Sequence, residues 1–244
     1  MKWIYLSPHY DDAIFSCGGL IFQQASNGDD IEVLTICGGE PPAGELSPFA
    51  GEIHRRWGTG RDVVAARQME DQTACAVVGV LPHFLNIPDC IYRNNPHTGK
   101  PMIGKNEDLF QPHPPNEIEV ISTIKNYLAQ IPPDVKIVSP LGIGRHIDHQ
   151  LVRAAVQDLQ RPLWFYADFP YAAREKMPPE TWLPPVYQTI EVTMDEKALE
   201  KWVQAVACYK SQLSTFWHSL PNIKKSITDF YHSDPYGHRI WSFS

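Results

Sequence analysis

Residues whose types could do acid–base or metal chemistry stand close together near the start of the chain. His9, Asp11 and Asp12 directly follow a short apolar run. Two neighbouring carboxylates repel each other unless positive charge lies between or beside them. After Lys2 the next lysine or arginine is Arg55, so no basic side chain nearby in the sequence supplies that charge. The pattern indicates that another cation is needed.

A second cluster of the same residue types lies in the second half of the chain. It contains His146, Asp148 and His149 and follows the apolar run 135–139 through a loop that contains glycine. If a helix begins near residue 146, the two histidines share one of its faces. Two strand ends that each deliver imidazole and carboxylate could converge at one point.

A divalent metal is the natural cation for such a point. Zinc accepts imidazole and carboxylate ligands, and its catalytic sites use three protein ligands and keep one open position. His9, Asp12 and one histidine of the second cluster would form that set, with Asp11 free to act on a water and Asp148 orienting a histidine. The alternative is that Asp11 and Asp12 cap a helix and His9 is a turn residue. Capping explains one aspartate, but it does not explain the second cluster.

The hydrophobic pattern predicts the elements that position these residues. Short runs rich in β-branched and aromatic residues predict strands over 3–7, 31–37, 83–87, 135–139, 163–167 and 187–192. Helical periodicity predicts helices over 13–26, 61–79, 116–130 and 148–159, and a long final helix over 195–215.

This alternation predicts a Rossmann-like three-layer α/β sandwich with a mostly parallel sheet. We expect a single domain over residues 1–244, with long loops at 38–60 and 88–115. Ligands of such sheets bind beyond the carboxyl ends of the strands. Both clusters follow predicted strands, so the site is expected at that end of the sheet.

Composition limits the classes of partner. The formal net charge is −7, which argues against a nucleic-acid or anionic-membrane partner, since both need a basic surface. The five cysteines are scattered and odd in number, which is typical of reduced thiols in the cytoplasm. No signal peptide and no membrane-spanning apolar run is recognisable. A cytoplasmic protein is expected, and its oligomeric state cannot be read from the sequence.

Four segments resemble one enzyme family. SPHYDDA, residues 7–13, resembles the P-H-x-D-D motif of the PIG-L/LmbE-like zinc-dependent N-deacetylases, and HIDH, residues 146–149, is similar to their H-x-D-H motif. The segment ARQMEDQTACAVVGV, residues 66–80, resembles the family's R-x-x-E helix. NIPD, residues 86–89, places an aspartate after a predicted strand, as in the family.

The resemblance implies a metal site and a reaction. Zinc would be held by His9, Asp12 and His149, although such a site would also accept other divalent ions such as Fe²⁺. Asp11 would be the general base in removal of an N-acetyl, or other N-acyl, group from an amino sugar or related glycoconjugate. The alternative is a non-catalytic, metal-containing carbohydrate-binding protein of the same fold. Binding alone does not require Asp11, so its presence favours the enzyme.

The resemblance also implies roles for four further residues. His146 would stabilise the transition state or protonate the leaving amine, with Asp148 behind it. Arg67 and Asp89 match family positions that contact substrate hydroxyls. An ordinary ion pair with Glu70 explains Arg67 equally well, and Asp89 could simply start a turn.

Two positions depart from the family pattern. Ala13 follows the aspartate pair, where many members have glutamate. Gly144 and Arg145 precede His146, whereas some members have a nearby tyrosine that polarises the carbonyl. The group that polarises the carbonyl is therefore unassigned by the sequence.

Overall fold

The computed structural model describes residues 1–58, 62–113, 117–175, 178–233, 236–237 and 239–243. Within these ranges one sheet contains the strands β1 (Lys2–Ser7), β2 (Asp30–Thr35), β3 (Leu81–Phe84), β4 (Lys136–Pro140), β5 (Leu163–Tyr166), β6 (Gln188–Glu191) and β7 (Arg239–Phe243). The α-helices are α1 (Asp12–Ser26), α2 (Pro48–Trp57), α3 (Val63–Val78), α4 (Ile118–Leu128), α5 (Ile147–Gln157), α6 (Tyr171–Arg174), α7 (Glu196–Val206), α8 (Lys210–Phe216) and α9 (Leu220–Tyr231). None of these helices is long and apolar enough to cross a membrane.

The sheet has the strand order β3-β2-β1-β4-β5-β7-β6. The five strands from β3 to β5 are parallel, and β7 is antiparallel to both β5 and β6. The chain moves outward in one direction from β1 and in the other from β4. This reversal opens a crevice at the carboxyl ends of β1 and β4. The predicted Rossmann-like, mostly parallel α/β fold is confirmed.

Helices cover both faces of the sheet. Helix α1 packs against α3 and α7, α7 packs against α9, and α4 packs against α5. Right-handed crossovers place the helices that follow β1 and β4 on opposite faces. The sheet therefore lies between two helical layers, as expected for a three-layer sandwich. That residues 1–244 form one domain stays a prediction.

Two adjacent glycines let α7 approach α1 closely. A Cβ atom on Gly18 would lie 2.6 Å from Trp202 Cδ1, and one on Gly19 would lie 2.6 Å from Met194 Sδ. The Trp202 indole N–H donates to the Ile14 carbonyl at 2.9 Å. This contact fixes α1 against α7, and α1 carries the first cluster at its N-terminus.

One predicted loop contains a helix. Residues 38–60 were expected to be irregular, but α2 occupies Pro48–Trp57. Ser47 caps this helix by accepting from the Ala50 N–H at 3.1 Å, and Gly58 ends it in the left-handed conformation. The Ser-Pro start and the glycine stop are recognisable signals, which the surrounding glycines and prolines obscured.

The single final helix predicted over 195–215 is wrong. The chain breaks between α7 and α8 because Tyr209 turns inward, where its hydroxyl donates to Asp71 Oδ1 at 2.6 Å. Helix α9 and strand β7 then follow. Parts of the predicted segments 38–60, 61–79, 88–115 and 116–130 fall on residues 59–61 and 114–116, which lie outside the described residues.

Candidate active site

The turn between β1 and α1 presents the first cluster. Ser7 Oγ donates to the His9 carbonyl at 2.5 Å and accepts from the Ala13 N–H at 2.9 Å. Ser7 thus satisfies a free N–H group of the helix N-terminus. Asp11 occupies the N-cap position but makes no capping hydrogen bond with its side chain. The capping alternative is therefore wrong for Asp11, whose side chain lines a cavity.

The second cluster lies beside the first, as expected. His146 precedes the first turn of α5, and His149 lies within that turn. The ring centroids of His9 and His146 are 4.9 Å apart, and those of His9 and His149 are 5.7 Å apart. His146 Nδ1 accepts from the Asp148 N–H at 3.3 Å, so the ring proton of neutral His146 lies on Nε2.

Three of these side chains could hold a metal ion. Asp12 Oδ2 lies 3.1 Å from His9 Nδ1 and 3.3 Å from His149 Nε2. Ligand atoms of a tetrahedral zinc site are about 3.4 Å apart. One nitrogen each from His9, His146 and His149 also lie within 4.8 Å of one another, which offers His146 as a further ligand. Imidazole nitrogens and carboxylate oxygens are donor types that zinc accepts in either combination.

The second nitrogen of each predicted histidine ligand contacts a carboxylate. His9 Nε2 lies 2.9 Å from Asp148 Oδ2, and His149 Nδ1 lies 2.6 Å from Asp168 Oδ1. Metal-binding histidines usually donate their other N–H to a carboxylate or a carbonyl, which fixes the ring orientation. This arrangement favours His9 and His149 as ligands through Nδ1 and Nε2.

Asp148 lies behind His9, so the expectation that it lies behind His146 is wrong. Its other oxygen, Oδ1, accepts from Arg93 Nη2 at 2.6 Å. Arg93 also donates to Glu117 Oε1 at 2.5 Å and to the Pro88 carbonyl at 2.9 Å. The guanidinium holds the pKa of Asp148 well below its usual range against the effect of burial. A buried ion pair with this many hydrogen bonds fixes the carboxylate in place.

Sequence reasoning missed Asp168 and Arg93. Asp168 follows β5, which ends at the same edge of the sheet as β1 and β4. A strand followed by an acidic residue was a signal that could have identified Asp168. Arg93 lies in an irregular segment after a 3₁₀ turn over Cys90–Tyr92, and no pattern in the sequence marks it.

Burial and neighbouring charges shift the pKa values of Asp11 and Asp12 in opposite directions. Burial raises the pKa of Asp11 to about 6, and the charge on Asp12 adds to this effect. Burial also disfavours charge on Asp12, but the imidazoles of His149 and His9 outweigh it and hold its pKa well below the usual range. Asp11 thus has the higher pKa of the two carboxylates.

The pKa values of His146 and His149 are also shifted in opposite directions. Burial lowers the pKa of His146, and the neighbouring His9 and His149 lower it further, so His146 is neutral. Burial also opposes charge on His149, but the carboxylates of Asp12 and Asp168 raise its pKa to about 10. The carboxylates therefore favour positive charge at this point, and a divalent cation would also supply it.

Arg67 and Asp89 both reach the cavity floor. Arg67 Nη2 lies 3.7 Å from Asp11 Oδ2, and Nη1 lies 3.9 Å from Asp89 Oδ2. Within the described residues, the buried Arg67 Nε has no hydrogen-bond partner. Asp89 Oδ1 accepts from the Ile91 N–H at 3.1 Å, so Asp89 starts a turn and also faces the site with its second oxygen.

Glu70 does not pair with Arg67, so the ion-pair alternative is wrong. Its carboxylate accepts from the Ser211 N–H at 2.9 Å and from Ser211 Oγ at 2.6 Å. Ser211 lies in the first turn of α8. Glu70 therefore joins α3 to the N-terminus of α8.

These residues surround a cavity of about 320 Å³, within the range of small-molecule sites. Its floor contains the buried His9, Asp11, Asp12, Arg67, Asp89 and His146. Its walls include six residues that sequence reasoning did not assign to the site, namely Arg56, Trp57, Phe110, Tyr171, Arg174 and Phe216. They come from α2, α6, α8 and a 3₁₀ turn at Asn106–Phe110, whose positions follow from the fold rather than from motifs.

The family model of PIG-L, GlcNAc-PI de-N-acetylase, matches residues 4–159. The chain is 34% identical over 190 residues to the 2′-N-acetylparomamine deacetylase of Niallia circulans, across 69% of this chain and 67% of that protein. The chain therefore belongs to the PIG-L family, and it is a deacetylase.

Solved structures of other deacetylases share the whole fold. The zinc-inhibited form of teicoplanin deacetylase superposes with a TM-score of 0.84 at 25% identity, covering 99% of this chain and 97% of that chain. The A40926 pseudoaglycone deacetylase superposes with a TM-score of 0.73 at 26% identity, covering 99% and 95%. The resemblance seen in the four motifs is thus confirmed at the level of family and fold.

Proposed function

We propose that the chain is a zinc-dependent deacetylase that hydrolyses the N-acetyl, or another N-acyl, group of an amino sugar or of a conjugate that contains one. The observation that carries this proposal is the position of Asp11. Its carboxylate is buried at the cavity floor beside His9 and Asp12, and it makes no capping hydrogen bond. The relatives named as deacetylases of N-acetylparomamine and of teicoplanin support an N-acyl amino sugar as the reacting group.

The metal would be held by His9 Nδ1, Asp12 Oδ2 and His149 Nε2. When bound, zinc or Fe²⁺ would polarise the acyl carbonyl, and zinc would lower the pKa of a coordinated water to about 7. Asp148 and Asp168 keep the two imidazole rings oriented by contacting their other nitrogens. The chain thereby fixes both the ligand tautomers and the direction of the ligand lone pairs.

Asp11 would move the proton. Its carboxylate accepts the proton of the attacking water as the C–O bond forms. It returns that proton to the amine nitrogen as the C–N bond breaks, so the products are a carboxylate and a free amine. The raised pKa of Asp11 suits both steps, because the group can take and release a proton near neutral pH.

His146 would stabilise the oxyanion. Its Nδ1 accepts from a backbone N–H, which leaves Nε2–H at the cavity as a donor to the developing negative charge. Tyr171 lines the same cavity, with its ring centroid 5.8 Å from that of His149, and its hydroxyl would be a second donor. Tyr171 would take the role of the tyrosine that the second motif lacks.

Arg67 and Asp89 would bind hydroxyl groups of the sugar. The Trp57 ring lies 4.4 Å from the Arg67 guanidinium carbon and holds it in place. The Arg67 guanidinium and the second oxygen of Asp89 would offer donors and an acceptor to the cavity. Binding at these positions would place the acyl nitrogen relative to Asp11.

A non-catalytic carbohydrate-binding protein is the rival proposal. Such a protein needs the hydroxyl-binding pair and a shaped cavity, but it does not need a buried carboxylate of raised pKa beside the metal ligands. Asp11 therefore favours the enzyme.

The experiment is to measure acetate and free amine released from N-acetylglucosamine and its glycosides by the zinc-loaded full chain. We expect the two products in a one-to-one ratio, with an Asp11→Asn protein as the inactive comparison. Binding of these sugars without release of either product would contradict the proposed reaction and support the binding protein.

A further inference from the structure

We propose that Gln150 is a positioning residue: its side-chain amide joins the loop before His146 to the segment that carries Phe110, and it thereby holds the His146 ring in place at the cavity. This inference rests on the proposed function, in which His146 stabilises the oxyanion. Gln150 directly follows the segment HIDH, and none of the four family motifs contains it.

The Gln150 amide makes three hydrogen bonds to backbone groups of two segments. Its Nε2 donates to the Arg145 carbonyl at 2.5 Å and to the Gln111 carbonyl at 2.8 Å. Its Oε1 accepts from the His113 N–H at 3.1 Å. An amide group carries two donor hydrogens, so both are used here. One side chain of α5 therefore connects the loop at Arg145 with the segment around Gln111.

The loop before His146 has a backbone conformation that needs a restraint. Arg145 has a φ of 59°, in the left-handed region that side chains other than glycine rarely adopt. On the other side of the loop, a Cβ atom on Gly144 would lie 2.6 Å from Tyr171 Cγ, so this ring packs closely against the backbone. Strained residues persist where their surroundings hold them, and they occur often at functional sites. We attribute the restraint at Arg145 to the Gln150 bond.

His146 follows this loop directly, so the position of the loop sets the position of its ring. His146 is the N-cap residue of α5, and its carbonyl accepts from the Gln150 N–H at 3.0 Å. A shift of the Arg145 peptide would move His146 Nε2 relative to the cavity. A displacement of about 1 Å in a reacting group can cost about 100-fold in rate.

The second segment packs against the His146 ring. The Phe110 ring lies 5.8 Å from that of His146, with the two planes at 86°. No residue of the 3₁₀ turn Asn106–Phe110 is buried, so polar contacts carry more of its anchoring. Arg56 Nη1 lies 3.5 Å from Asn106 Oδ1 at the start of this turn, and the Gln150 bonds lie beyond its Phe110 end.

The amide should matter more for activity than for stability. Gln150 is half-buried, so water can reach the three backbone groups when the amide is removed. Water satisfies their hydrogen bonds, but it does not hold two segments at a fixed distance. Loss of the amide should therefore displace His146 without unfolding the protein.

The first test compares Gln150→Ala and Gln150→Glu in the zinc-loaded full chain, with acetate release from N-acetylglucosamine as the readout. Gln150→Ala should lower kcat about tenfold and change KM by less than about threefold, because the hydroxyl contacts at Arg67 and Asp89 stay. Gln150→Glu keeps the size of the side chain but turns an oxygen toward two carbonyls, so its kcat should fall at least as far. A wild-type kcat in either variant would overturn the inference.

The matched control is Gln157→Ala. Gln157 is exposed about two helical turns further along the same face of α5. We expect Gln157→Ala to keep the wild-type kcat and KM. An equal loss in this variant would show that the effect of Gln150→Ala comes from the helix as a whole, and it would overturn the inference.

A His146→Ala background shows whether Gln150 acts through His146. In that background Gln150→Ala should lower kcat by less than about twofold, because the ring that Gln150 positions is gone. The same tenfold loss in both backgrounds would mean that Gln150 acts independently of His146.

Hydrogen exchange separates this inference from the proposed reaction, because it needs no turnover. In Gln150→Ala the amides of residues 106–113 and 142–146 should exchange about fivefold or more faster than in the wild type, and those of β1 should not change. Gln157→Ala should match the wild type. If exchange responds in this way but the wild type releases no acetate, the proposed reaction is refuted and the anchoring by Gln150 stands. Unchanged exchange in both segments would overturn the inference.

Discussion

Ser7 leaves Asp11 free for chemistry. The serine hydroxyl satisfies the Ala13 N–H, a task that the N-cap residue usually performs. Asp11 therefore occupies a capping position without capping, and its neighbour Asp12 contacts both predicted histidine ligands. Two adjacent carboxylates thus have different partners, which is the condition for giving them different roles.

Asp11→Asn should lower kcat by a factor of about 100 to 10,000, because the amide cannot accept the proton of the attacking water. Zinc content should stay at the wild-type level, since Asp11 is not among the predicted ligands. Steady-state kinetics and metal analysis of the same sample measure both effects. An Asp11→Asn protein with wild-type turnover would remove Asp11 from the mechanism.

Asp168→Asn should weaken zinc binding by about 10- to 100-fold, because His149 loses the carboxylate that fixes its ring and raises its basicity. Competition with a chromophoric chelator measures the affinity. Asp158→Asn is the matched control, since Asp158 is an exposed aspartate at the end of α5. An Asp168→Asn affinity within twofold of the control would show that this contact does not support the ligand.

The motifs identify residues that converge in the structure, but they do not identify the side chains that hold those residues in place. His9, Asp12 and His149 converge as expected, because residues that follow neighbouring parallel strands end at one edge of the sheet. Asp168 contacts His149 from 19 positions away in the sequence, and Arg93 contacts Asp148 from 55 positions away. Such contacts depend on tertiary packing, and no local pattern encodes them.

Helix α8 forms a wall of the cavity, and a side chain of α3 hydrogen-bonds to its first turn. Gln212, Thr215 and Phe216 of α8 line the cavity, and Glu70 of α3 accepts two hydrogen bonds from Ser211. A carboxylate at a helix N-terminus stabilises the helix through its free N–H groups and its dipole. The family's R-x-x-E helix thus contributes one side chain to the floor and one to the wall.

Glu70→Ala should raise KM several-fold and change kcat little, because the α8 wall loses about 1 kcal/mol of capping energy while the reacting groups stay in place. Ser211→Ala is the matched control, since it removes the hydroxyl contact and keeps the backbone N–H donor. We expect a smaller rise in KM for Ser211→Ala. A loss confined to kcat in Glu70→Ala would contradict a role in positioning the wall.

Helix boundaries show where sequence patterns fail. The periodicity of residues 195–215 is helical on both sides of Tyr209. The helix nevertheless ends before Tyr209, whose hydroxyl makes a buried hydrogen bond to Asp71. In the segment 38–60, the Ser47 cap and the Gly58 stop enclose a helix of ten residues. The tertiary hydrogen bond of Tyr209 accounts for the break between α7 and α8. Local capping signals could have predicted α2.

The whole molecule brings the site together through its topology. Strands β1 and β4 are neighbours although 128 residues separate the ends Ser7 and Lys136 along the chain. Helices on both faces then fix α1 and α5, which carry the two clusters. The alternation of strands and helices predicted the mostly parallel sheet, but it did not predict which strands are neighbours. The cytoplasmic location expected from the cysteines stays a prediction.

A buried carboxyl makes global stability depend on pH. Burial raises the pKa of Asp71 well above its usual value, and its Oδ2 has no hydrogen-bond partner within the described residues. The folded protein therefore keeps this proton at pH values where the unfolded chain has lost it. The contribution of Asp71 is fully favourable below the unfolded pKa of about 4, and it is lost as the pH rises toward the folded pKa.

Asp71→Asn should thus gain free energy of unfolding relative to the wild type as the pH rises from about 4 to 7, by more than about 1 kcal/mol. The asparagine carbonyl can still accept from Tyr209. Urea unfolding of both proteins across this range measures the difference, in which the other titrating groups cancel. A difference that is independent of pH would mean that Asp71 is ionised in the folded protein.

The most direct test is to determine the metal content of the purified chain together with acetate release before and after chelation. We predict about one zinc per chain and acetate release from an N-acetylglucosamine substrate that stops on chelation and returns with zinc. His149→Ala should not retain the metal. A protein that binds no divalent metal under any reconstitution, or that releases acetate equally well after chelation, would contradict the metal-dependent mechanism.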